Sequence, residues 1–262
     1  MEARIHPEIS TSVGPVATFS GVRFFVGRES EVLDSCLRHL EDGKRASLWT
    51  VCTPNPEQMR LSWYDQRFSS HLREATINLP DGMGIIWALQ HLGISRTAVR
   101  IPGRVLCEQL LLAAREKGLS VFLLGGKSGS VERVLERFAH PTGWEAHPGQ
   151  GHVQHPDPHI EQEIFERIQR LRPAMVFVAY GAPYQERWVM DHRVELEAAG
   201  VRIAMVVGGT FEYLAGRVPP VPAWVVRFHG EWLFRLLMEP HRLKRQLIGG
   251  EFFLRVLLRR FP

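Results

Sequence analysis

The 262-residue sequence predicts an α/β fold: a Rossmann-like layered domain on a mainly parallel sheet, followed by a C-terminal helical appendage. Three observations predict it. Short β-rich runs alternate with amphipathic stretches between residues 48 and 209. Runs such as "VFLLG" and "MVFVA" are continuously apolar, as strands covered on both faces require. The alternation then stops at "PPVPAW" (219–224), a stiff linker ahead of helical sequence.

In order, residues 1–20 read as a flexible lead-in, and "RESEVLDSCLRHLEDGK" as a helix closed by Gly43. "SLWTVCT" precedes a helical 56–73, and "ATINLP" a helical 82–92. "LSVFLLGG" leads to a helix over 129–139, "AMVFVAYG" to one over 183–199, and "VRIAMVVGG" to a short turn. The loop-rich stretch 141–158 has room for one irregular strand. The layered domain therefore spans 21–218, and 219–262 forms the appendage. There, 223–248 reads as helix interrupted at Pro240, and "EFFLRVLLRRF" as an amphipathic helix separate from the layered domain.

Composition narrows the function classes. Hydrophobic residues at 45% and charged residues at 23% exclude a disordered chain. Cys36, Cys52 and Cys107 are odd in number, far apart and without a C-x-x-C, so neither a disulfide framework nor a zinc ribbon is expected. A reducing, cytoplasmic setting follows, with no signal peptide and no spanning run. The net charge of +4 is concentrated in the tail: residues 225–262 hold eight Lys/Arg against three acids, and the rest of the chain 24 against 25. That asymmetry points to an anionic partner surface. The basic residues Arg255, Arg259 and Arg260 interleave with Phe252, Phe253 and further Leu, which favours a membrane surface over nucleic acid.

In parallel sheets, ligands gather where strands end and helices begin. Five such loops carry polar or Gly-rich residues. Thr53 and Asn55 end the first strand, where the plain alternative is a turn and helix cap. Asp81, beside Gly82 and Gly84, heads an apolar helix; it suits a cap or a general base for a hydroxyl nucleophile. Gly125 and Gly126 in "GGKSGS" complete neither phosphate-loop pattern, since Val121 and Leu124 stand where glycines are needed. Either a tight turn or a backbone cradle for phosphate or ribose remains. Gly181, Gln185 and Glu186 lie in "YGAPYQER", and Gly208, Gly209, Phe211 and Glu212 in "GGTFEYLAG". His152, His155 and His159 are loosely spaced as metal ligands are, without a fourth partner, so no metal site is expected. Arg235, Arg242 and Arg245 read either as a salt-bridged helix face or as cations for a phosphorylated ligand.

Taken together, "VCTPNPEQM", "NLPDGMGIIWA", "RIPGRVL", "VFLLGGKSGSVERV", "GAPYQERW", "GGTFEYLAGRV" and "EWLFRLLMEPHRLKRQ" resemble the WecG/TagA/CpsF family of bacterial glycosyltransferases over residues 20–248. The resemblance implies inverting, metal-independent transfer from a UDP-sugar to a polyprenyl-pyrophosphate-linked saccharide, in surface or exopolysaccharide synthesis. It places the enzyme peripherally on the inner face of the plasma membrane. It makes Asp81 the general base, with Thr53, Asn55 and Gln185 in the active site and the arginines 235, 242 and 245 closing over the diphosphate. Glu212 replaces the family's usual Asp at a nucleotide-contacting position, and the loop 146–158 lacks the family's aromatic pattern.

The runner-up, an NAD-dependent nucleotide-sugar epimerase or dehydrogenase, lacks a complete glycine fingerprint and a Y-x-x-x-K pair. A non-catalytic membrane scaffold predicts tolerance of Asp81→Asn. The donor sugar, the acceptor saccharide and the oligomeric state are not written in the sequence, although the apolar tail leaves a homo-oligomer open.

Overall fold

A computed structural model describes residues 6–10, 13–42, 47–218 and 243–261, with the backbone alone for 6–10 and 243–248. The chain opens with three antiparallel strands, β1 (His6–Ser10), β2 (Pro15–Phe19) and β3 (Val22–Phe25), in the order β1-β2-β3. Ser20 (φ 52°) and Gly21 (φ 77°) turn β2 into β3, the paired positive φ values that match strand twist in a two-residue hairpin. The segment expected to be a flexible lead-in is thus ordered strand where it is described, because Phe19, Val22 and Phe24 need a core to cover them.

Helix α1 (Glu29–Glu41) ends at its cap residue Asp42, and Gly43 lies outside the described residues. The main sheet follows: β4 (Trp49–Cys52), β5 (Ile77–Asn78), β6 (Val121–Gly125), β7 (Trp144–His147), β8 (Met175–Ala179) and β9 (Ile203–Val206). All pairings are parallel, in the order β5-β4-β9-β8-β6-β7. The expected irregular strand of 141–158 is β7, at the sheet edge.

Alternate residues of one strand go to different cores. Phe122, Leu124, Val176, Val178, Ala204 and Val206 join one apolar cluster; Val121, Leu123, Met175, Phe177, Ile203 and Met205 join the other. Both faces are dry, which is why these strands read as unbroken apolar runs. One face is covered by α1, α5 (Gly103–Lys117), α6 (Ser130–Arg137) and α10 (Thr210–Leu214). The other is covered by α2 (Pro56–Ser62), α3 (Gln66–Glu74), α4 (Met83–His91), α7 (Pro158–Leu171), α8 (Tyr184–Asp191) and α9 (Arg193–Ala198).

Two long expected helices are each split. Over 56–73 the break lies before Asp65, whose carboxylate accepts from the Phe68 N–H at 2.9 Å and starts α3. Over 183–199 it lies at His192. The crossover helices α5 and α7 add to the expected set, and the turn expected after β9 is the short helix α10.

The tail departs most from expectation. Helix α11 (Leu243–Leu257) runs through Gly249 and Gly250 and packs against α2 and α4. Phe252, Val256 and Phe261 are buried in the same core as Phe19 and Met59. The Phe252 ring meets Phe19 edge-on at 6.0 Å and stacks on Trp63 at 5.7 Å. Glu251 accepts from Tyr64, Arg60 and Arg255, and its carboxyl is held at about 2, chiefly by the Tyr64 hydroxyl. This segment is therefore part of the layered domain, and Phe252 is a core residue instead of a membrane-facing one. The remainder of the expected appendage, residues 219–242 with Arg235 and Arg242, lies outside the described residues.

Candidate active site

The sheet is parallel throughout, so the carboxyl ends of β4, β5, β6, β8 and β9 lie at one edge, the edge at which doubly wound sheets bind ligands. Every loop singled out in the sequence leaves from that edge.

After β4, Asn55 caps α2. Its Oδ1 accepts from the Gln58 N–H at 3.0 Å, and Gln58 Oε1 accepts from the Asn55 N–H at 2.9 Å. This reciprocal box is the plain reading of Asn55, and it holds the Asn55 oxygen away from other donors. Thr53 is pressed against the first turn of α5: a Cβ at Gly103 would overlap Thr53 Cγ2. Glycine is needed there for close approach of helix to strand end.

After β5 the capping explanation for Asp81 gives way. The cap residue of α4 is Gly82, at φ 107°, a backbone conformation that favours glycine. Asp81 stands one residue earlier, its side chain 34% exposed and its Oδ1 3.7 Å from Arg100 Nε. That distance makes an ion pair instead of a direct hydrogen bond. The loop bearing Arg100 is fastened by the Ile101 N–H, which donates to the Pro80 carbonyl at 3.3 Å. Sequence reasoning assigned no role to Arg100, although it opens the quoted "RIPGRVL" stretch. Only folding, which returns the loop before α5 to the end of β5, sets it beside Asp81.

After β6, Gly125 (φ 90°) and Gly126 (φ 88°) make a turn that side chains would strain, and a Cβ on Gly125 would sit 2.8 Å from the Tyr180 ring. The loop is held from behind by Glu212, whose Oε1 accepts from the Lys127 N–H at 2.9 Å and the Ser130 hydroxyl at 2.8 Å. Glu212 is buried, with the glycine loop on Oε1 and the Arg217 guanidinium 4.0 Å from Oε2. Phe211, expected at the substrate, is fully buried beneath Gly126 and belongs to the core.

After β8 and β9, Gln185 ties two loops together. Its Oε1 accepts from the Gly181 N–H at 3.1 Å and the Gly208 N–H at 3.0 Å, while its Nε2 donates to Glu186 Oε1 at 3.1 Å. Glu186 is 1% exposed, and burial pushes its carboxyl up to about 7 against a smaller lowering by Gln185. Gly181 and Gly209 border open space, leaving room for a ligand against the backbone.

Helix α11 reaches this edge as well. A Cβ at Gly84 would sit 2.8 Å from the Phe253 ring, and one at Gly249 would lie 3.8 Å from Glu57. Phe253, Leu254, Leu257 and Leu258 form an exposed apolar strip beside the exposed Arg259 and Arg260, whereas Arg255 is engaged by Glu251 and Tyr64. The side chain of Arg245 falls outside the described residues. Two surface cavities, of about 390 and 440 Å³, lie at the opposite, amino edge of the sheet and contain none of these residues. Among the described residues no group of three or more His, Cys, Asp or Glu could hold a metal ion, and no helix is long and apolar enough to cross a membrane. The three cysteines are buried free thiols.

A profile of the Glycosyl transferase WecG/TagA/CpsF family matches residues 17–262. The chain is 28% identical over 242 residues to an N-acetylglucosaminyldiphosphoundecaprenol N-acetyl-beta-D-mannosaminyltransferase of Bacillus subtilis (strain 168), covering 92% of this chain and 90% of that one. It is 30% identical over 231 residues to the protein of the same name from Bacillus spizizenii, covering 86% of each. A Staphylococcus aureus (strain MW2) protein of that name is 29% identical over 199 residues, 74% of each chain.

Proposed function

The chain belongs to the WecG/TagA/CpsF family of glycosyltransferases, and from that premise we propose that it transfers a hexose or N-acetylhexosamine from a UDP-sugar to a polyprenyl-diphosphate-linked saccharide. The product feeds a cell-envelope or exopolysaccharide polymer. Relatives that span most of this chain carry the name of such a transferase, with a diphosphoundecaprenol-linked N-acetylglucosamine as acceptor.

The observation that carries the reading is the Asp81–Arg100 pair at the same sheet edge as the glycine loops and the Thr53/Asn55 strand end. Inverting transfer needs one base to take the acceptor hydroxyl's proton and fixed positive charge for the leaving diphosphate. Asp81, one residue before the cap position and partly exposed, serves as the base. The Arg100 guanidinium orients that carboxylate. Arg235, Arg242 and Arg245 complete the positive charge around the diphosphate, so no metal is required. Glu212, through the Gly125–Gly126 loop it holds, positions the UDP. The exposed apolar strip of α11, with Arg259 and Arg260, rests peripherally on the anionic inner face of the membrane that carries the acceptor.

The test is a transfer assay over a panel of UDP-sugars with a short-chain polyprenyl-diphosphate saccharide. Asp81→Asn should lower the rate at least about 100-fold, the scale of a lost general base, while UDP affinity stays within about threefold. Chelator should leave the wild-type rate unchanged. Near-wild-type transfer by Asp81→Asn removes it from the role of base.

A further inference from the structure

Gln185 and Glu186 are 2% and 1% exposed, so neither carboxyl oxygen of Glu186 meets solvent or a bound sugar. Yet both side chains are polar, and burial of polar groups is costly unless their bonds do something. The Gln185 oxygen receives two backbone N–H groups, from Gly181 and Gly208, and so clasps the loops that follow β8 and β9. A side-chain amide is nearly symmetric in shape. Flipped, it would present its NH₂ to those two donors and lose both bonds. The two N–H donors on Oε1 and the acceptor Glu186 Oε1 on Nε2 together select the working orientation, and among the described residues Glu186 supplies the amide's only side-chain partner.

We infer that Glu186 is a positioning residue: a buried, neutral hydrogen-bond acceptor that sets the Gln185 amide so that the two glycine loops stay clasped around the donor diphosphate. The inference rests on the proposed transferase site and deepens it. Two further observations support it. Glu186 Oε2 is a buried atom without a hydrogen-bond partner, the natural place for a proton when Oε1 accepts. Among the described residues, the groups acting on the carboxyl are the Gln185 amide and the residue's own backbone N–H, with no cation. An ionised carboxylate there would be unpaired and would set a negative charge behind the diphosphate loops.

The charged groups on the packed neighbours are engaged elsewhere. Asp65, the cap of α3, pairs with Arg187, and Arg67 of α3 with Asp191. Burial lowers the pKa of the buried His71 imidazole on α3, and Asp191 is the foremost charge acting on it. From α7, Glu161 accepts from Trp188 and Gln150 and faces His192; on α9, Arg193 pairs with Glu197. Strands β8 and β9 carry no titratable side chain, and β4 contributes the Cys52 thiol, which burial raises.

Two readouts test this, neither needing turnover. Deuterium exchange of the peptides containing Gly181 and Gly208 reads the clasp directly, without ligand. Glu186→Ala should speed exchange there at least about tenfold, the loss expected when a buried hydrogen bond is released, and Glu186→Gln should leave it within about twofold. Adding Gln185→Ala to Glu186→Ala should produce no further change, the mark of two residues acting as one unit. Calorimetry with UDP reads the charge. The ratio of wild-type to Glu186→Gln Kd should be near 1 at pH 6 and rise to about threefold at pH 8.5, because only the wild-type carboxyl ionises. Comparing proteins at each pH cancels the titration of UDP itself. Slow exchange in Glu186→Ala, damage in Glu186→Gln equal to that in Glu186→Ala, or a pH-independent Kd ratio would overturn the inference. Absence of UDP binding by the wild type rejects the donor reading instead, and the exchange result then decides the positioning role alone. If Glu186→Ala does not fold, Glu186→Gln still carries the comparison.

Discussion

Phe252→Ala separates a core helix from a membrane-facing one. Phe252 is 0% exposed, edge-on to Phe19 and stacked on Trp63, so truncation empties a site bounded by α2, the first hairpin and the chain end. Withdrawing roughly 150 Å² of aromatic surface at about 25 cal/mol per Å² costs about 4 kcal/mol, within the range for buried Phe→Ala. For a chain of this size that lowers Tm by roughly 8–16 °C. Phe253→Ala is the control: that ring is 41% exposed against Trp87 and Gly84, so its loss should cost about 1 kcal/mol and shift Tm by only a few degrees. Thermal melts, paired with sedimentation on anionic vesicles, check both. The melt should fall steeply for Phe252→Ala, and vesicle binding should weaken more for Phe253→Ala. A Phe252→Ala protein that melts like wild type but no longer sediments with vesicles would refute the core assignment.

Gly103→Ala forces a methyl group into Thr53 at the end of β4, an overpacking that should cost about 1–3 kcal/mol and reduce transfer by displacing the strand end; denaturant melts and the transfer assay read the two effects. The buried carboxyl of Glu186 also makes stability depend on pH. Its folded pKa is raised from 4.5 to about 7, so the unfolded chain ionises first. The stability present below pH 4.5 is lost as pH rises to about 7, by up to roughly 3 kcal/mol at 1.36 kcal/mol per unit. Glu186→Gln should flatten that slope, seen as a smaller change in denaturant midpoint between pH 5 and pH 8. An unchanged slope would show that the carboxyl is hydrated in solution.

Asp81 shows how much of the site was legible in sequence. That an acid stood at a strand–helix seam between Pro80 and Gly82 was visible, and two roles suited it; the structure gives the cap position to Gly82 and the ion pair to Asp81. Arg100 illustrates the opposite limit. It lies nineteen residues further on, in a loop with no periodic signal, and only the return of the chain into α5 brings it to the strand end. Phe211 and Glu212 lie side by side in the loop after β9, yet one faces the core beneath Gly126 and the other holds the glycine turn. Adjacency in sequence does not tell which side chain of a short helix points at ligand and which at packing.

By itself the sequence determined the parallel layered fold, because strands buried on both faces must be apolar throughout, and the five loops that carry polar groups, because glycine and acid mark strand ends. It also carried enough ordered motifs to identify the family. What only the tertiary structure decided was the fate of the termini and the partners within the site. Within the lead-in, residues 15–19 became the first strand of a hairpin, and residues 243–257 a core helix, since Phe19, Trp63, Phe252 and Phe261 bury one another across the two ends of the chain. The pairings Asp81–Arg100, Gln185–Gly208 and Glu212–Lys127 follow from distances in space, and apolar or polar periodicity along a chain holds no record of them.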